Sequence, residues 1–281
     1  MSDNDVIEKH IDVNDADSST VEMLSNATNL SKQLIKQAMG KGAVWLSRGK
    51  HTQRLRRANR KLNAGDTLHL YYNAKLLATK PPEALLIADE GDYSVWYKPY
   101  GLLSQGSKWS DHCTITRWAV QHLQPERPAF IVHRLDRAAT GLILVAHTKK
   151  ATTLLTGLFQ QRKITKTYEA IVQGHFPSSP EIFTINTPIN EKPAISHIRL
   201  LQYSPKRNCS LVSIEIETGR KHQIRKHLSE AGFPILGDRL YSEQQDFETD
   251  LQLTAVSLCF TCPITNKPRH YDLDSKLHPQ L

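Results

Sequence analysis

The stretch that decides the fold is HRLDRAATGLILVA, at residues 133–146. Its second half, from Gly141 to Ala146, is a short, continuous apolar run, which predicts a strand buried on both faces. Its first half places Asp136 among basic residues, just before the turn into that strand. A loop braced by a buried strand holds a side chain in a fixed position, so Asp136 is a candidate nucleophile or base. The alternative is a structural ion pair between Asp136 and a neighbouring Arg.

Strand and helix patterns continue on both sides of this stretch. Alternating or β-rich segments predict strands at 93–97, 167–172 and 211–217. Helical spacing occurs at 149–159 and at 222–231, where Gly232 ends the helix. Because these elements do not repeat as regular βαβ units, we predict an α+β fold with a central, largely antiparallel mixed sheet.

Charge is distributed unevenly along the 281 residues, whose formal net charge is +8. Residues 1–23 are acidic and predict a solvated, flexible tail. In contrast, RGKHTQRLRRANRK at 48–61 has seven Lys or Arg and no acid, which favours a polyanionic partner such as RNA. Within this run, Arg54, Arg56 and Arg57 are candidate RNA contacts.

The segment around the basic run predicts a small domain of its own. A short amphipathic helix at 31–39, a strand at 43–46 and a Gly65-Asp66 turn into an alternating strand resemble the alpha-L RNA-binding domain of ribosomal proteins. The alternative is a basic surface hairpin of the main domain. We therefore expect an acidic tail at 1–23, a small α/β RNA-binding domain at 24–75, a linker at 76–84 and a catalytic domain at 85–281.

Composition narrows the class of protein further. The sequence has no apolar run long enough to span a membrane and no secretion signal in its polar start, so we expect a cytoplasmic protein. Four cysteines form no close-spaced disulfide framework. Cys259 and Cys262 form a CxxC, but without a second pair of ligands they fit ordinary strand residues better than a zinc site.

The motifs resemble those of the RluA-type family of pseudouridine synthases. Asp136 lies in a match to HRLDxxTSGLLLxA, with Ala139 in place of Thr and Thr140 in place of Ser. Four further segments follow the family pattern in order: YKPYGLL at 97–103, KTYEAIVQG at 166–174, KPAIS at 192–196, and TGRKHQIRKHL at 218–228 followed by GFPILGDRLY at 232–241.

The resemblance implies roles for particular residues. Asp136 matches the catalytic Asp, Tyr168 the Tyr that packs on the flipped base, and Arg225 the Arg that pairs with the catalytic Asp. Arg134 matches the Arg that helps to extract the nucleotide from its stack. Further candidates for RNA contact or the pocket rim are His133, Lys98, Arg220 and Lys221.

The resemblance also implies isomerisation of uridine to pseudouridine without a metal, nucleotide or redox cofactor. We expect the protein to be a monomer without an obligate protein partner. Ribosomal RNA is the favoured substrate, transfer RNA is the alternative, and attack on the sugar or on the base stays open. The loss of a hydroxyl at Ala139 leaves a weak or inactive RNA-binding or assembly protein as a second hypothesis. A deaminase is less favoured, because its zinc ligands are missing.

Overall fold

A computed structural model of the protein describes residues 6–14, 19–243 and 248–281. The chain forms two compact units. The first contains the described residues up to Pro81 and a later segment, Gln105–Trp118; the second contains Pro82–Ser104 and Ala119–Leu281. The expectation that 85–281 forms one continuous domain is therefore wrong for Gln105–Trp118. Side-chain pairing explains this, because Asp111 in that segment binds arginines of the first unit.

The first unit has an antiparallel sheet of four strands, in the order β1-β4-β2-β3. Its elements are β1 (Val6–Asp12), α1 (Thr20–Thr28), α2 (Lys32–Gly40), β2 (Val44–Arg48), β3 (His51–Arg54), β4 (Thr67–Asn73) and α3 (Ala74–Ala78). The predicted helix at 31–39 is confirmed, with Ser31 as its N-cap accepting from the Leu34 N–H. The apolar face of this helix packs on the sheet through Ile35 and Met39.

The prediction of a flexible acidic tail is wrong for β1, which pairs along its whole length with β4. Ile7 and Ile11 lie on one face of this strand and pack against the core of the first unit. Glu8 and Asp12 lie on the opposite face of the strand and contribute to the acidic, tail-like composition of the segment. Of the other acidic residues in the predicted tail at 1–23, Asp3, Asp5, Asp15 and Asp17 lie outside the described residues. The predicted linker at 76–84 is also wrong at its start, because α3 extends to Ala78.

The second unit contains the larger sheet and confirms the α+β prediction. Its elements, with one helix whose first residues belong to the other unit, are β5 (Leu85–Asp89), β6 (Tyr93–Lys98), α4 (Ile115–His122), β7 (Phe130–Ile131), β8 (Thr140–Ala146), α5 (Lys149–Gln160), β9 (Thr165–Gln173), β10 (Phe183–Ile185), β11 (Ser196–Ser204), β12 (Cys209–Ile216), α6 (Gln223–Glu230), β13 (Leu253–Thr261), β14 (Pro268–Asp272) and a 3-10 turn at Ser275–Leu277. The strand order is β10-β11-β12-β9-β13-β8-β6-β5, with β14 on β13 and β7 on β8.

Strand β8, the apolar run of the opening motif, is central to this sheet. All its residues from Gly141 to Ala146 are buried, as predicted. It pairs antiparallel with β6 and parallel with β13. Gly141 has φ +107°, and a side-chain carbon there would overlap the backbone of Ala255 on β13. Glycine at this position therefore lets the two strands approach where the Asp136 loop enters the sheet.

Neither a membrane span nor a metal cluster occurs within the three described ranges. No helix there is long and apolar enough to cross a bilayer. No group of three or more His, Cys, Asp or Glu residues is placed to hold a metal ion. Cys259 lies within β13, as expected for a strand residue, and both it and Cys262 are free thiols.

Candidate active site

The loop that carries Asp136 is held on both sides of the carboxylate. The Ser104 hydroxyl donates to the Leu135 carbonyl at 2.7 Å and accepts from the Leu135 N–H at 3.0 Å. On the other side, the Gly101 N–H donates to the Arg137 carbonyl at 2.9 Å. The segment after β6 therefore fixes the backbone before and after Asp136, whose side chain is 25% exposed.

Lys98 belongs to this support and not to the pocket rim, where the sequence placed it. Its side chain is fully buried, and its ammonium donates to the carbonyls of Pro99, Leu102 and Arg137. Burial lowers the pKa of Lys98 to about 7, against an opposing contribution from Asp136. The prediction that Lys98 contacts RNA is therefore wrong, because none of its side chain reaches the surface.

Arg225 lies beside Asp136, but its main partner is Asp238. The Asp238 carboxylate accepts from Arg225 Nε at 2.7 Å and from Nη2 at 2.6 Å. Arg225 Nη1 lies 3.8 Å from Asp136 Oδ2. Burial acts to raise the pKa of Asp238, but the hydrogen bonds from Arg225 and from the Leu240 and Tyr241 N–H groups hold it below its usual value. The predicted Arg225–Asp136 proximity is present, while the bidentate pair to Asp238 was not predicted.

His222 is the second basic side chain next to Asp136. Its Nε2 lies 3.8 Å from Asp136 Oδ1, and its Nδ1 is within 2.8 Å of the Tyr241 hydroxyl. Burial lowers the pKa of His222, and the charge of Asp136 opposes that shift. His222 precedes α6 in a left-handed conformation, with φ 56°. This turn brings both His222 and Arg225 towards the same carboxylate.

Helix α6 is fixed by the two motifs that border it. The Ser196 hydroxyl bonds to Gln223 Nε2 at 3.1 Å and to His227 Nδ1 at 2.9 Å. The Thr218 hydroxyl donates to Gln223 Oε1 at 2.7 Å and accepts from the Ile195 N–H. The segments KPAIS and TGRKHQIRKHL therefore interlock through buried hydrogen bonds, and His227 is a structural residue of this network.

Asp136 lines a cleft of about 470 Å³ within the second unit. Tyr168 is 8% exposed and lines the cleft from β9. Burial, and secondarily the charge of Asp136, raises the pKa of Tyr168. Its phenol therefore stays protonated at neutral pH. Among the described residues, the lining has one acid, Asp136, and five Lys or Arg side chains: Arg134, Lys166, Arg220, Lys221 and Arg225.

The predicted RNA-facing residues of this cleft fall into two groups. Arg134 and Lys221 are exposed, and Arg220 is half-buried with its Nε donating to the Pro193 carbonyl. His133 is different, because its Nε2 accepts from the Leu144 N–H at 2.9 Å. Burial, followed by the charge of nearby Lys166, lowers the pKa of His133 to about 3. His133 therefore presents a neutral ring to the cleft.

The two departures from the family motif lie next to each other. Ala139 is buried, at 2% exposure, and lines the cleft. The hydroxyl of Thr140 bonds to the Thr254 hydroxyl at 2.8 Å. A hydroxyl at position 140 thus joins the Asp136 loop to β13, although Ala139 provides none.

In the first unit, the basic run is partly neutralised by the protein itself. Asp111 Oδ2 lies 3.2 Å from Arg54 Nε and 2.5 Å from Arg56 Nη2. Both arginines also donate to backbone carbonyls of the same unit. The prediction of Arg54 and Arg56 as RNA contacts loses its support, because these groups hold the domain together. Arg57 is exposed, as that role requires.

Comparisons with known proteins identify the family. A family model described as RNA pseudouridylate synthase matches residues 92–230. An uncharacterized RNA pseudouridine synthase of Mycoplasma genitalium is 30% identical over 217 residues, which cover 70% of this chain and 68% of that protein. The chain belongs to the RNA pseudouridine synthase family. The resemblance predicted from the motifs is thereby confirmed, and with it the class of enzyme, an isomerase that acts on RNA.

Other members of this family support the same assignment. The ribosomal large subunit pseudouridine synthase D of Haemophilus influenzae is 32% identical over 213 residues, covering 65% of this chain and 64% of that protein. The fold is similar to two human structures, RNA pseudouridylate synthase domain containing 4 and 1. The match to domain containing 4 has a TM-score of 0.56 at 23% identity and covers 68% of this chain. The match to domain containing 1 has a TM-score of 0.59 at 22% identity and covers 72% of this chain. Each match covers 88% of the human chain.

Proposed function

We propose that this synthase isomerises specific uridines of structured ribosomal RNA, in the large subunit, with Asp136 as its nucleophile. The observation that carries the proposal is the position of the Asp136 carboxylate, 3.8 Å from both Arg225 and His222, in a cleft whose other charged side chains are all basic. A basic cleft attracts the RNA backbone, and a cationic neighbour suits a carboxylate nucleophile. Transfer RNA is the alternative substrate.

The reaction conserves every atom of the uridine. Asp136 attacks the nucleotide and forms a transient bond to it, and the N1–C1′ bond breaks. The uracil turns, a C5–C1′ bond forms, and the bond to Asp136 breaks, which frees the carboxylate. The proton on C5 is then lost and N1 gains one, so no electron donor or acceptor is required. On this basis we expect the enzyme to work without a cofactor. The freed uracil must stay in the cleft between the two steps, and Tyr168 provides an aromatic wall for it.

Tyr168 and Arg134 have distinct roles in this proposal. Since burial keeps the Tyr168 phenol protonated, it acts as a stacking surface and hydrogen-bond donor in the resting enzyme. A uridine in a helix hides its glycosidic bond, so the enzyme must extract it at a cost of a few kcal/mol. Exposed Arg134 at the mouth of the cleft suits that step, because a guanidinium both stacks and binds phosphate.

The first unit contributes RNA affinity in this proposal. Its order of elements supports an alpha-L type RNA-binding domain, with α2, β2 and the Gly65-Asp66 turn where the resemblance requires them. The groove beside the turn is lined by the basic residues Arg48, Arg57, Arg60 and Lys61. We further propose that the enzyme acts in the cytoplasm, as a monomer.

Mapping of pseudouridines in ribosomal and transfer RNA, from cells with and without the gene, tests this function. We expect one or more large-subunit sites to disappear and to return with the wild-type gene. Asp136→Asn should not restore them, because loss of a covalent nucleophile lowers the rate by at least about 10³-fold. Glu181→Gln, a change at a side chain that is 82% exposed, is the matched control and should restore them fully.

The opposite outcomes are equally informative. Restoration by Asp136→Asn would exclude Asp136 as the nucleophile. If pseudouridines disappear from transfer RNA alone, the substrate is transfer RNA and not ribosomal RNA. An unchanged pseudouridine map, together with RNA binding by the purified protein, would favour a non-catalytic binding protein.

A further inference from the structure

Two lysines of the second unit, the buried Lys98 and the half-buried Lys166, differ in how their charge is satisfied. The Lys98 ammonium donates to three backbone carbonyls. Lys166, on β9, is half-buried, yet its ammonium makes no hydrogen bond or ion pair with any residue in the described ranges. Burial accordingly lowers the pKa of Lys166. A buried cation without a partner costs free energy, so this lysine has a role other than stability.

Lys166 is directed into the active-site cleft. It lies two residues before Tyr168 on the same strand, so both side chains are on one face of the sheet, and both line the cleft. The Lys166 ammonium lies next to Gly219, where a Cβ would be 3.9 Å away. Both Lys166 and Gly219 line the cleft, so the residue that borders the ammonium there has no side chain.

In the part of the chain that the structure describes, no neighbouring group neutralises the charge of Lys166. His133 is held as a neutral ring by the Leu144 N–H, and the single acid of the lining, Asp136, already has Arg225 and His222 beside it. Lys166 therefore requires an anion from outside the protein. In RNA near neutral pH, the ribose and the bases are uncharged and the phosphates carry the charge.

We propose that Lys166 binds a backbone phosphate of the nucleotide drawn into the cleft. The proposal rests on the proposed function and assigns the cleft a phosphate subsite separate from the carboxylate at Asp136. A Lys ammonium is a compact point charge that binds phosphate well. Bound phosphate also supplies the missing partner, so the cost of burying the ammonium is relieved in the complex with RNA.

A charge-removing variant tests the subsite. In Lys166→Met the stem is kept and the charge is lost, while Lys163→Met is the matched control at an exposed position three residues earlier. The probe is an unmodified transcript of large-subunit ribosomal RNA. We expect Lys166→Met to bind about tenfold more weakly and its salt dependence to decrease by about 0.7 to 0.9 in log–log slope, the value for one phosphate contact.

Further measurements distinguish a phosphate contact from a structural role. Lys166→Met should be at least as stable to urea as the wild type, since it removes an unpaired buried charge. Lys166→Arg should restore the salt slope. As the pH rises towards the ordinary lysine pKa of 10.5, wild-type affinity should fall more steeply than that of Lys166→Met, because burial lowers the pKa of the Lys166 ammonium.

The proposal is overturned if Lys166→Met binds the transcript with unchanged affinity and salt slope. It is also overturned if affinity is unchanged while the single-turnover rate falls, since Lys166 would then act in the chemistry. Should the wild-type enzyme form no pseudouridine in this transcript, the proposed function fails for this RNA. The binding comparison would still decide whether Lys166 contacts phosphate.

Discussion

The cleft and the basic run of the first unit both contain arginine–aspartate pairs, but the pairs have different environments. In the cleft, Arg225 and Asp238 are 5% and 0% exposed, and the arginine also faces Asp136. In the first unit, Arg54 and Arg56 share Asp111, whose side chain is 20% exposed. The comparison shows that the number of basic residues in a sequence does not measure the charge available to RNA.

The largest expected effect comes from breaking the buried pair. Asp238→Asn leaves the Arg225 guanidinium without its bidentate partner, at an expected loss of about 3–5 kcal/mol in the free energy of unfolding. Because Arg225 is then free to turn away from Asp136, the rate of pseudouridine formation should fall about 100-fold. Urea unfolding and single-turnover assays measure the two effects.

Asp111→Asn is the matched change in the first unit. Its carboxylate is partly solvated, so we expect a smaller loss of about 1–2 kcal/mol in the free energy of unfolding. An equal loss of stability in both variants would remove the distinction between the two regions.

The second prediction concerns the buried cation under the Asp136 loop. Burial lowers the pKa of Lys98 from 10.5 to about 7 in the folded protein. Between these values the unfolded chain binds the extra proton, so the contribution of Lys98 to the free energy of unfolding rises with pH, by up to about 1.4 kcal/mol per pH unit. Urea unfolding at pH 7, 8 and 9 measures the free energy of unfolding of the wild type and of Lys98→Met. We expect the wild type to gain stability relative to Lys98→Met as the pH rises. A constant difference would mean that the three carbonyls keep Lys98 charged.

The smallest expected effect separates free from neutralised arginines in the first unit. Arg57 and Arg60 are exposed and line the basic groove, whereas Arg48 forms a bidentate pair with Asp66. The double change of Arg57 and Arg60 to Gln should weaken RNA binding about three- to fivefold. It should also make the slope of log affinity against log salt concentration less steep. Arg48→Gln should leave that slope unchanged. If Arg48→Gln lowers it equally, the ion pair does not withhold Arg48 from RNA.

Much of the catalytic fold was predictable because its signals are local. The apolar run of β8, the alternation of β12 and the period of α6 each lie within a few residues, and the structure confirms all three. The grouping of Asp136, Tyr168 and Arg225 followed from the family motifs. All three residues line one cleft, where Arg225 lies 3.8 Å from Asp136, and their catalytic roles stay predictions.

What the sequence did not reveal depends on contacts between distant segments. Asp238 lies within the GFPILGDRLY motif, but nothing local shows that it binds Arg225 thirteen residues earlier. The burial of Lys98 depends on carbonyls of the Asp136 loop. The sequence around Lys166 does not indicate whether this lysine has a partner, because the partner of a side chain on a strand usually lies on another segment. The acidic composition around Ile7 and Ile11 hid a strand whose pairing partner lies about 60 residues later.

The hydrogen bonds that attach the Asp136 loop to Ser104 and Gly101 affect which uridines the enzyme can modify. A carboxylate on a fixed loop cannot move towards the RNA, so the RNA must deform to bring the uridine to Asp136. We therefore expect sites to be ranked by how cheaply the transcript distorts around them, with uridines in bulges and strained junctions preferred over those in regular duplex of the same sequence.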